Sequence, residues 1–600
     1  MQDNLIYLAN CFLNEAIKTT LQNLNKVNII DTPELYSFVK GINTDYQFNK
    51  STKLANDCNL DQEKIVNELI TQLKSNSFFE NISSVELQQN KSVKINGKKT
   101  NTVIKQIMIT LNISKLYLSN RINLLYKRIL SGSSIYVPNT ITKKIIVDYS
   151  SPNIAKEMHI GHLRSTIIGE SICRVLEMCG HDVYRINHVG DWGTQFGMLI
   201  AYIKNNQIES YTISELMNIY KESRKLFESS IDFKNQSRLE TVSLQNGNIE
   251  SITIWQKIHK ISMNSFHEIY SLLGINNLIT KGESFYQDQM TELVNSLTSD
   301  NKITVENDMK LMFVEGISKP FILQKSDGGF TYDTSDLTAL KYRLFIEKAD
   351  HIIYVVDSSQ QEHFSQMFQI AEKLDWIKNQ QLQHIGFGLV LGSDGSKLKT
   401  RSGETIKLQD VIDNVVSHAS NITRELIKQK NLDWNDDDIL TISKKIAINC
   451  IKYSDLNNPR LNNYKFDINK MLNSKGNTAV YLMYGLARCK SILRKVPNNT
   501  ILNGDIIIEN ENSRNLLQHV LKYIEVIDQT VETMCPHYLC IYLYDLIGSL
   551  TKFYTTNRCL EYDNDNLIGY NANNLRIVNM VKIIISKIFE LIGLEEIEQL

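Results

Sequence analysis

Residues 150–166, "SSPNIAKEMHIGHLRST", set His159 and His162 one helical turn apart with Gly161 between them. Upstream, "KKIIVDY" (143–149) has the short apolar run of a buried strand. Downstream, Leu163, Ile167, Ile168, Ile172, Val175, Leu176 and Cys179 keep a helical period, and Gly180 stands where a C-terminal stop belongs. "DVYRINHVG" then reads as a second strand. Strand, helix and strand within about 45 residues make a βαβ unit, which places this segment at the edge of a parallel, doubly wound sheet. "HIIYVV" (351–356) and "HIGFGLVLG" (384–392) are further strand candidates, separated by the helical "HFSQMFQIAEKLDWI". A long, mostly helical insertion, roughly 200–320, interrupts the sheet.

The bulk composition bounds the rest. A chain of 600 residues is too long for one core, so about two to four domains are expected. The formal net charge is −1, so a nucleic-acid partner must be held by local basic patches. Apolar runs fall short of the roughly 18 residues a membrane span needs. The start, "MQDNLIYLANCFLNEAIKTTL", lacks a basic n-region and a small-residue cleavage site, so it does not read as a secretory signal. Its Leu5, Leu8, Cys11, Phe12 and Ile17 suggest an amphipathic helix instead. Nine cysteines without a CxxC pair argue against a disulfide framework and a zinc ribbon, and for a reducing, cytoplasmic setting.

Residues 1–120 read as a small α+β domain with alternating segments such as "IKQIMITLNIS" and "INLLYKRIL". The basic loop "NKSVKINGKK" (90–99), taken alone, is a solvated hairpin tip, and "SGSSIYVPN" (131–139) is a linker. Residues 121–415 form the α/β domain, and from about 410 the chain reads almost entirely helical to Leu600, giving a third region, 416–600.

Three readings compete for the two histidines. As a metal pair their spacing is acceptable, but no HExxH pattern supplies further ligands. As core residues they would need the apolar face of the helix. At a helix N-terminus beyond a strand end, they could instead cradle phosphate, with Gly161 leaving room for a nucleotide ring to pack on the backbone.

The longer context carries a resemblance. "SSPNIAKEMHIGHLRSTIIGESICRVLE" followed by "NHVGDWGTQFG" resembles the HIGH region of class I aminoacyl-tRNA synthetases, and more narrowly the arginyl-tRNA synthetases. It continues in order through "SDGGFTYDTSDLTALKYRL", "IIYVVDSSQQEHF", "GFGLVLGSDGSKLKTRSGETIKL", "CIKYSDL" and "GNTAVYLMYGLAR", covering about 140–600. The resemblance implies a Rossmann-type catalytic domain with helical insertions, an N-terminal domain that contacts tRNA, and an all-α anticodon-binding bundle. The implied reaction is ATP-dependent activation of L-arginine and transfer to tRNA(Arg), with Mg²⁺ accompanying ATP and no metal held tightly by protein side chains.

By the same resemblance, His159, Gly161 and His162 face ATP, with Lys397 and Lys399 of "KLKTR" (397–401) in the family's second signature loop. Thr400 stands where that signature has its second lysine, and Lys156, ahead of HIGH, is the expected substitute. Arginine is expected to meet Ser151, Pro152, Asn153, His162, Tyr332, Asp336 and Gln360, with Asp148 as a further acid; alone, Asp148 reads equally well as a strand-end cap. Tyr332 and Asp336, one turn apart, can face one pocket. Asn477, Tyr481 and Arg488 are the tRNA candidates, while Leu482, Leu486 and Cys489 are grouped with the core; Tyr484 reads either as a second stacking ring or as part of that core. A monomer is expected, with a homodimer left open.

Two other functions fit parts of the pattern, and a third, a synthetase for another amino acid, is opposed by the arginyl-type motifs and by the absence of an obvious editing domain. Other nucleotidyl transferases also carry H-x-G-H, but their chains are usually short and lack a large helical C-terminal region. A synthetase-like RNA-binding protein without catalysis should show broken HIGH or pocket positions, whereas His159, Gly161, His162, Tyr332, Asp336 and Gln360 are all present.

Overall fold

A computed structural model describes residues 4–24, 39–40, 44–95, 98–137, 141–392, 394–396, 398, 406–496, 502–564 and 566–598. The chain divides into two compact units: residues 140–488 with 529–544 and 585–600, and residues 1–139 with 489–528 and 545–584.

The first unit is built on five parallel strands, Lys144–Asp148 (β1), Asp182–Asn187 (β2), Ile279–Thr280 (β3), His351–Tyr354 (β4) and Gln381–His384 (β5), in the order β5-β4-β1-β2-β3. β1 is therefore the central strand and not the edge. Its unbroken Ile145, Ile146 and Val147, all buried, are the pattern of a strand covered on both faces. The chain runs from β1 to β2 on one side, and β4 later pairs with β1 on the other. That reversal is the topological switch point, and the crevice beyond its strand ends is where open α/β sheets bind ligands. Helices Ile160–Met178 (α1), Tyr332–Phe345 (α2) and Gln361–Lys373 (α3) pack around this sheet. Ile146, Ile186, Ile352, Leu337, Leu340, Met367 and Ile370 share one core.

α1 lies close against the chain beyond β1. A Cβ at Gly169 would come within 2.4 Å of the Tyr149 ring, so only glycine permits that approach. The helix ends at Gly180, at φ +84°, as the sequence suggests. "HIGFGLVLG" does not form one strand. His384 closes β5, while Val390–Leu391 pairs with Tyr464–Lys465 in a separate ribbon. Gly388 lies at the break, where a Cβ would meet the Asn462 backbone at 2.7 Å. The insertion contains helices Thr194–Asn205, Ile213–Ser229, Ile231–Gln245 and Ile249–Leu272, then returns β3 to the main sheet. Helices Leu408–Gln429, Asp436–Leu456 and Ala479–Arg494 follow the sheet.

In the second unit, strands Val39–Lys40, Tyr46–Phe48, Phe79–Ile95 and Lys98–Ile113 form an antiparallel sheet, and the last two carry the basic 90–99 segment. "INLLYKRIL" belongs not to a strand but to helix Lys115–Leu130. Its buried Leu118, Ile122, Leu125 and Tyr126 keep a 3.6-residue period that outweighs the local alternation. Helix Leu5–Asn23 buries Leu5, Ala9, Leu13, Ala16, Ile17 and Leu21, and Cys11 is exposed. The real stripe passes through small alanines that the apolar count undervalues. Helix Glu511–Leu521 joins this unit through Arg514, whose Nη2 lies 2.7 Å from Asp45. The C-terminal region is not wholly helical, because Leu560–Asp563 and Asn566–Tyr570 form an antiparallel hairpin.

Candidate active site

Between β1 and β4 opens a cavity of about 940 Å³ lined by residues from seven separate stretches of chain, including Asp148, Ser151, Asn153, His159, Gly161, His162, His188, Glu283, Tyr332, Asp336, Gln360 and His363.

One wall is the start of α1. His159 is its N-cap, and its Nδ1 accepts from the Gly161 N–H at 3.1 Å. His162 reaches back, its Nδ1 accepting from the His159 N–H at 3.0 Å. This reciprocal arrangement is a capping box made of two imidazoles. The rings stack with centroids 3.8 Å apart. Since both Nδ1 atoms accept, both rings carry their proton at Nε2. Burial, with the His159 and Lys156 charges adding to it, pushes His162 down to about 3, so its ring is neutral. Gly161 lines the cavity, and His159 lies close to it, its Cε1 2.9 Å from where a Cβ would stand.

The segment leading to this helix is strained. Ser150, Ser151 and Ala155 have φ of 71°, 45° and 65°, a costly conformation for residues other than glycine and one concentrated at functional sites. Their backbone donors are held in place: Ser150 N–H by Ser165 Oγ, Ser151 N–H by Asn187 Oδ1 and Ala155 N–H by Ser262 Oγ. Pro152 and Ile154 bridge to Gly190, where a Cβ would meet Asn153 Oδ1 at 2.1 Å.

The opposite wall is acidic. Asp336 on α2 is hydrogen-bonded to His363 Nε2 at 2.8 Å through one oxygen, and its other oxygen lies 3.3 Å from His188 Nε2 as an ion-pair contact. His363 Nδ1 in turn lies 3.2 Å from Asp333, and His188 Nδ1 lies 3.1 Å from the Lys281 carbonyl. Burial alone would push Asp336 up, but the hydrogen bonds of His188 and His363 outweigh it and hold the carboxyl below its usual range. Burial likewise opposes the charged form of His363, yet Asp333 and Asp336 raise it to about 9. Glu283 is pushed up to about 7, mainly by burial, with Asp336 and Asp191 adding to it. Tyr332, half exposed, lies 5.1 Å from the His363 ring. Asp148 faces the cavity but is paired with buried Arg343 at 2.7 Å and accepts from Ser151 Oγ, so its charge is already balanced.

Other expected residues are spread more widely. Gln360 is exposed at the cavity rim. Lys156 does not point into the cavity; its Nζ lies 4.9 Å above the Tyr220 ring. Lys397, Lys399 and Thr400 lie outside the described residues. Asn477 is exposed and accepts from Tyr453, and Tyr481 packs on Tyr544 at 5.4 Å. Arg488 is exposed on the same helix as Tyr481. Tyr484 is 56% exposed, so it belongs with that surface and not with the buried Leu482, Leu486 and Cys489. The sequence reading assigned no role to His188, Glu283 or His363. The first two follow within three residues of a β2 or β3 end, and that position was the available signal.

Comparison with known proteins fixes the family. The family described as "tRNA synthetases class I (R), catalytic domain" matches residues 126–468, and "DALR anticodon binding domain" matches 482–600. An arginine–tRNA ligase of Acanthamoeba polyphaga mimivirus is 99% identical over the whole of both chains. The chain belongs to the class I arginyl-tRNA synthetases. A cytoplasmic arginine–tRNA ligase of Cricetulus griseus is 41% identical over 76% of this chain and 71% of its own. The Plasmodium falciparum arginyl-tRNA synthetase structure superposes with a TM-score of 0.80 at 30% identity, covering 99% of each chain. In this synthetase the segment just ahead of helix Leu408–Gln429 lies against the HIGH region: Lys407 forms a bridge with His159, Leu408 N–H donates to the Met158 carbonyl, and Lys407 Nζ pairs with Glu157 at 2.6 Å.

Proposed function

We propose that the chain activates L-arginine with ATP and transfers the arginyl group to tRNA(Arg). One observation carries this reading: a single cavity joins a bracketed carboxylate to two imidazole Nε2–H donors at a helix N-terminus. Asp336 and Glu283 face the guanidinium, with Tyr332 over it, while Ser151, Asn153 and Gln360 receive the polar groups at the other end of arginine. The arginine carboxylate attacks the α-phosphorus of ATP, a P–O bond forms, and the bond to pyrophosphate breaks. This step needs positioning and stabilisation of phosphoryl charge more than a base. Neutral His162, and His159 stacked on it, supply N–H donors with no proton of their own to lose.

Mg²⁺ enters with ATP, on phosphate oxygens and water. Among the described residues no group of three or more His, Cys, Asp or Glu side chains converges for a metal ion. Lys156 substitutes for the absent second lysine by leaving Tyr220, and Lys397 and Lys399 act from the other signature loop. The tRNA 2′-OH then attacks the adenylate carbonyl and AMP leaves. Asn477, Tyr481 and Arg488, with the exposed Tyr484, offer stacking and charge to tRNA. The enzyme works as a monomer in the cytoplasm, a compartment that suits nine scattered cysteines without a CxxC pair.

ATP–pyrophosphate exchange with each amino acid, with and without total tRNA, tests this. Exchange is expected with arginine alone and only when tRNA is present. Exchange with another amino acid overturns the pocket assignment, and none at all from folded protein overturns catalysis.

A further inference from the structure

Within the acidic wall, the cluster of Asp333, Asp336, His188 and His363 is already neutral before any substrate arrives. Both ring nitrogens of His363 face carboxylate oxygens, on Asp333 and Asp336. Those of His188 face the Asp336 carboxylate and the Lys281 carbonyl. A ring whose two nitrogens meet only acceptors satisfies both by carrying both protons, so each is an imidazolium. Two carboxylates and two imidazoliums sum to zero. Beside them, Asp148 cancels Arg343, and Lys281 cancels Glu347 through a direct ion pair. Glu283 lines the same cavity, within the field of His188, Asp336 and Asp191. Asp191 is held by the Ser284 N–H and hydroxyl and lies 3.6 Å from His259. On the far side of His363 stands His384, which burial keeps low.

A guanidinium entering this wall adds an uncompensated cation to a largely buried site, where an unpaired charge is costly. The least costly response is loss of a proton from the cluster. We propose that this chain binds arginine with the release of one proton, and that His188 and His363 are the positioning residues that set this stoichiometry by neutralising Asp336 in advance. The inference rests on the arginine assignment of this cavity. Glu283 lines the cavity beside Asp336 and His188 and is pushed up to about 7 by burial, which makes it the group from which the proton leaves. In the complex the guanidinium takes the place of that proton, so tighter arginine binding is linked to higher pH up to about 7 and levels off above it.

Titration calorimetry of arginine into the full chain at pH 6.5, in two buffers of different ionisation enthalpy, counts the protons. The expected result is close to one proton released per arginine, with the dissociation constant falling about tenfold per pH unit between about pH 5.5 and 6.5. Release should drop by at least half in H363Q and nearly vanish in E283Q. Arginine binding with no buffer dependence in the unaltered chain overturns the inference and leaves the arginine assignment standing; absence of arginine binding overturns that assignment instead. Unchanged release in both H188Q and H363Q overturns the role of the histidines, whatever those variants do to kcat.

Discussion

Two pairs of histidines face the same cavity under opposite electrostatic rules. His159 and His162 stack on each other and turn their Nδ1 atoms onto backbone N–H groups, so each ring is defined by donors. His188 and His363 turn their nitrogens onto carboxylate and carbonyl oxygens, so each ring is defined by acceptors. The first pair is a source of N–H donors for phosphate, and the second is a source of fixed positive charge that holds Asp336 in place. The same side chain thus serves two chemistries, and what separates them is the backbone or carboxylate it was folded against.

The largest break in this contrast should come from Asp336→Asn. It leaves His188 and His363 without their shared anion and removes the guanidinium partner, so arginine-dependent exchange should fall about 1000-fold in kcat/KM, in line with breaking a buried pair. Steady-state exchange at varied arginine checks this, and a loss under tenfold would detach Asp336 from arginine recognition.

On the other wall, His162→Ala removes one half of the capping box and one phosphate donor. The expected loss is about 100-fold in kcat, with the arginine KM changed less than about threefold. The unaltered enzyme supplies the sharper test through pH. With His162 held at about 3, its ring gains no proton on acidification, and the ATP KM should stay flat from about pH 8 to 5. Over the same range the arginine KM should worsen as Glu283, at about 7, takes up its proton and no longer presents a carboxylate. Initial rates at each pH with one substrate saturating separate the two profiles. A parallel acid loss in both KM values would erase the distinction between the walls.

The sequence showed one of these walls far better than the other. Gly161, His159 and His162 lie within four residues, and their capping geometry follows from that spacing alone. The acidic wall is assembled from the segments just after β2 and β3 and the first turns of α2 and α3, so Asp336 could be placed by its motif, while its partners His188 and His363 could not. Spacing reports neighbours along one element; the sheet order that makes β1 central is a tertiary fact. Local pattern misled wherever two periods overlapped, as in "INLLYKRIL". It was silent where a short hairpin, Leu560–Tyr570, had only "DNDN" for a turn signal.

The smallest break tests why the histidine wall needs its glycine. In Gly161→Ala the new methyl would stand 2.9 Å from His159 Cε1 and 3.0 Å from Nδ1, closer than carbon and nitrogen approach without repulsion. The helix start cannot yield easily, because His159 is also bridged to Lys407 and its N–H is committed to His162. The imidazole must therefore tilt, losing its bond from the Gly161 N–H and its stack on His162. Overpacking of this kind costs about 1–3 kcal/mol, which sets the expected loss at about tenfold in kcat with folding retained. Since the acidic wall shares no contact with that methyl, arginine affinity and its proton count should be untouched. If calorimetry instead showed both altered together, the two pairs of histidines would be one coupled unit and not two.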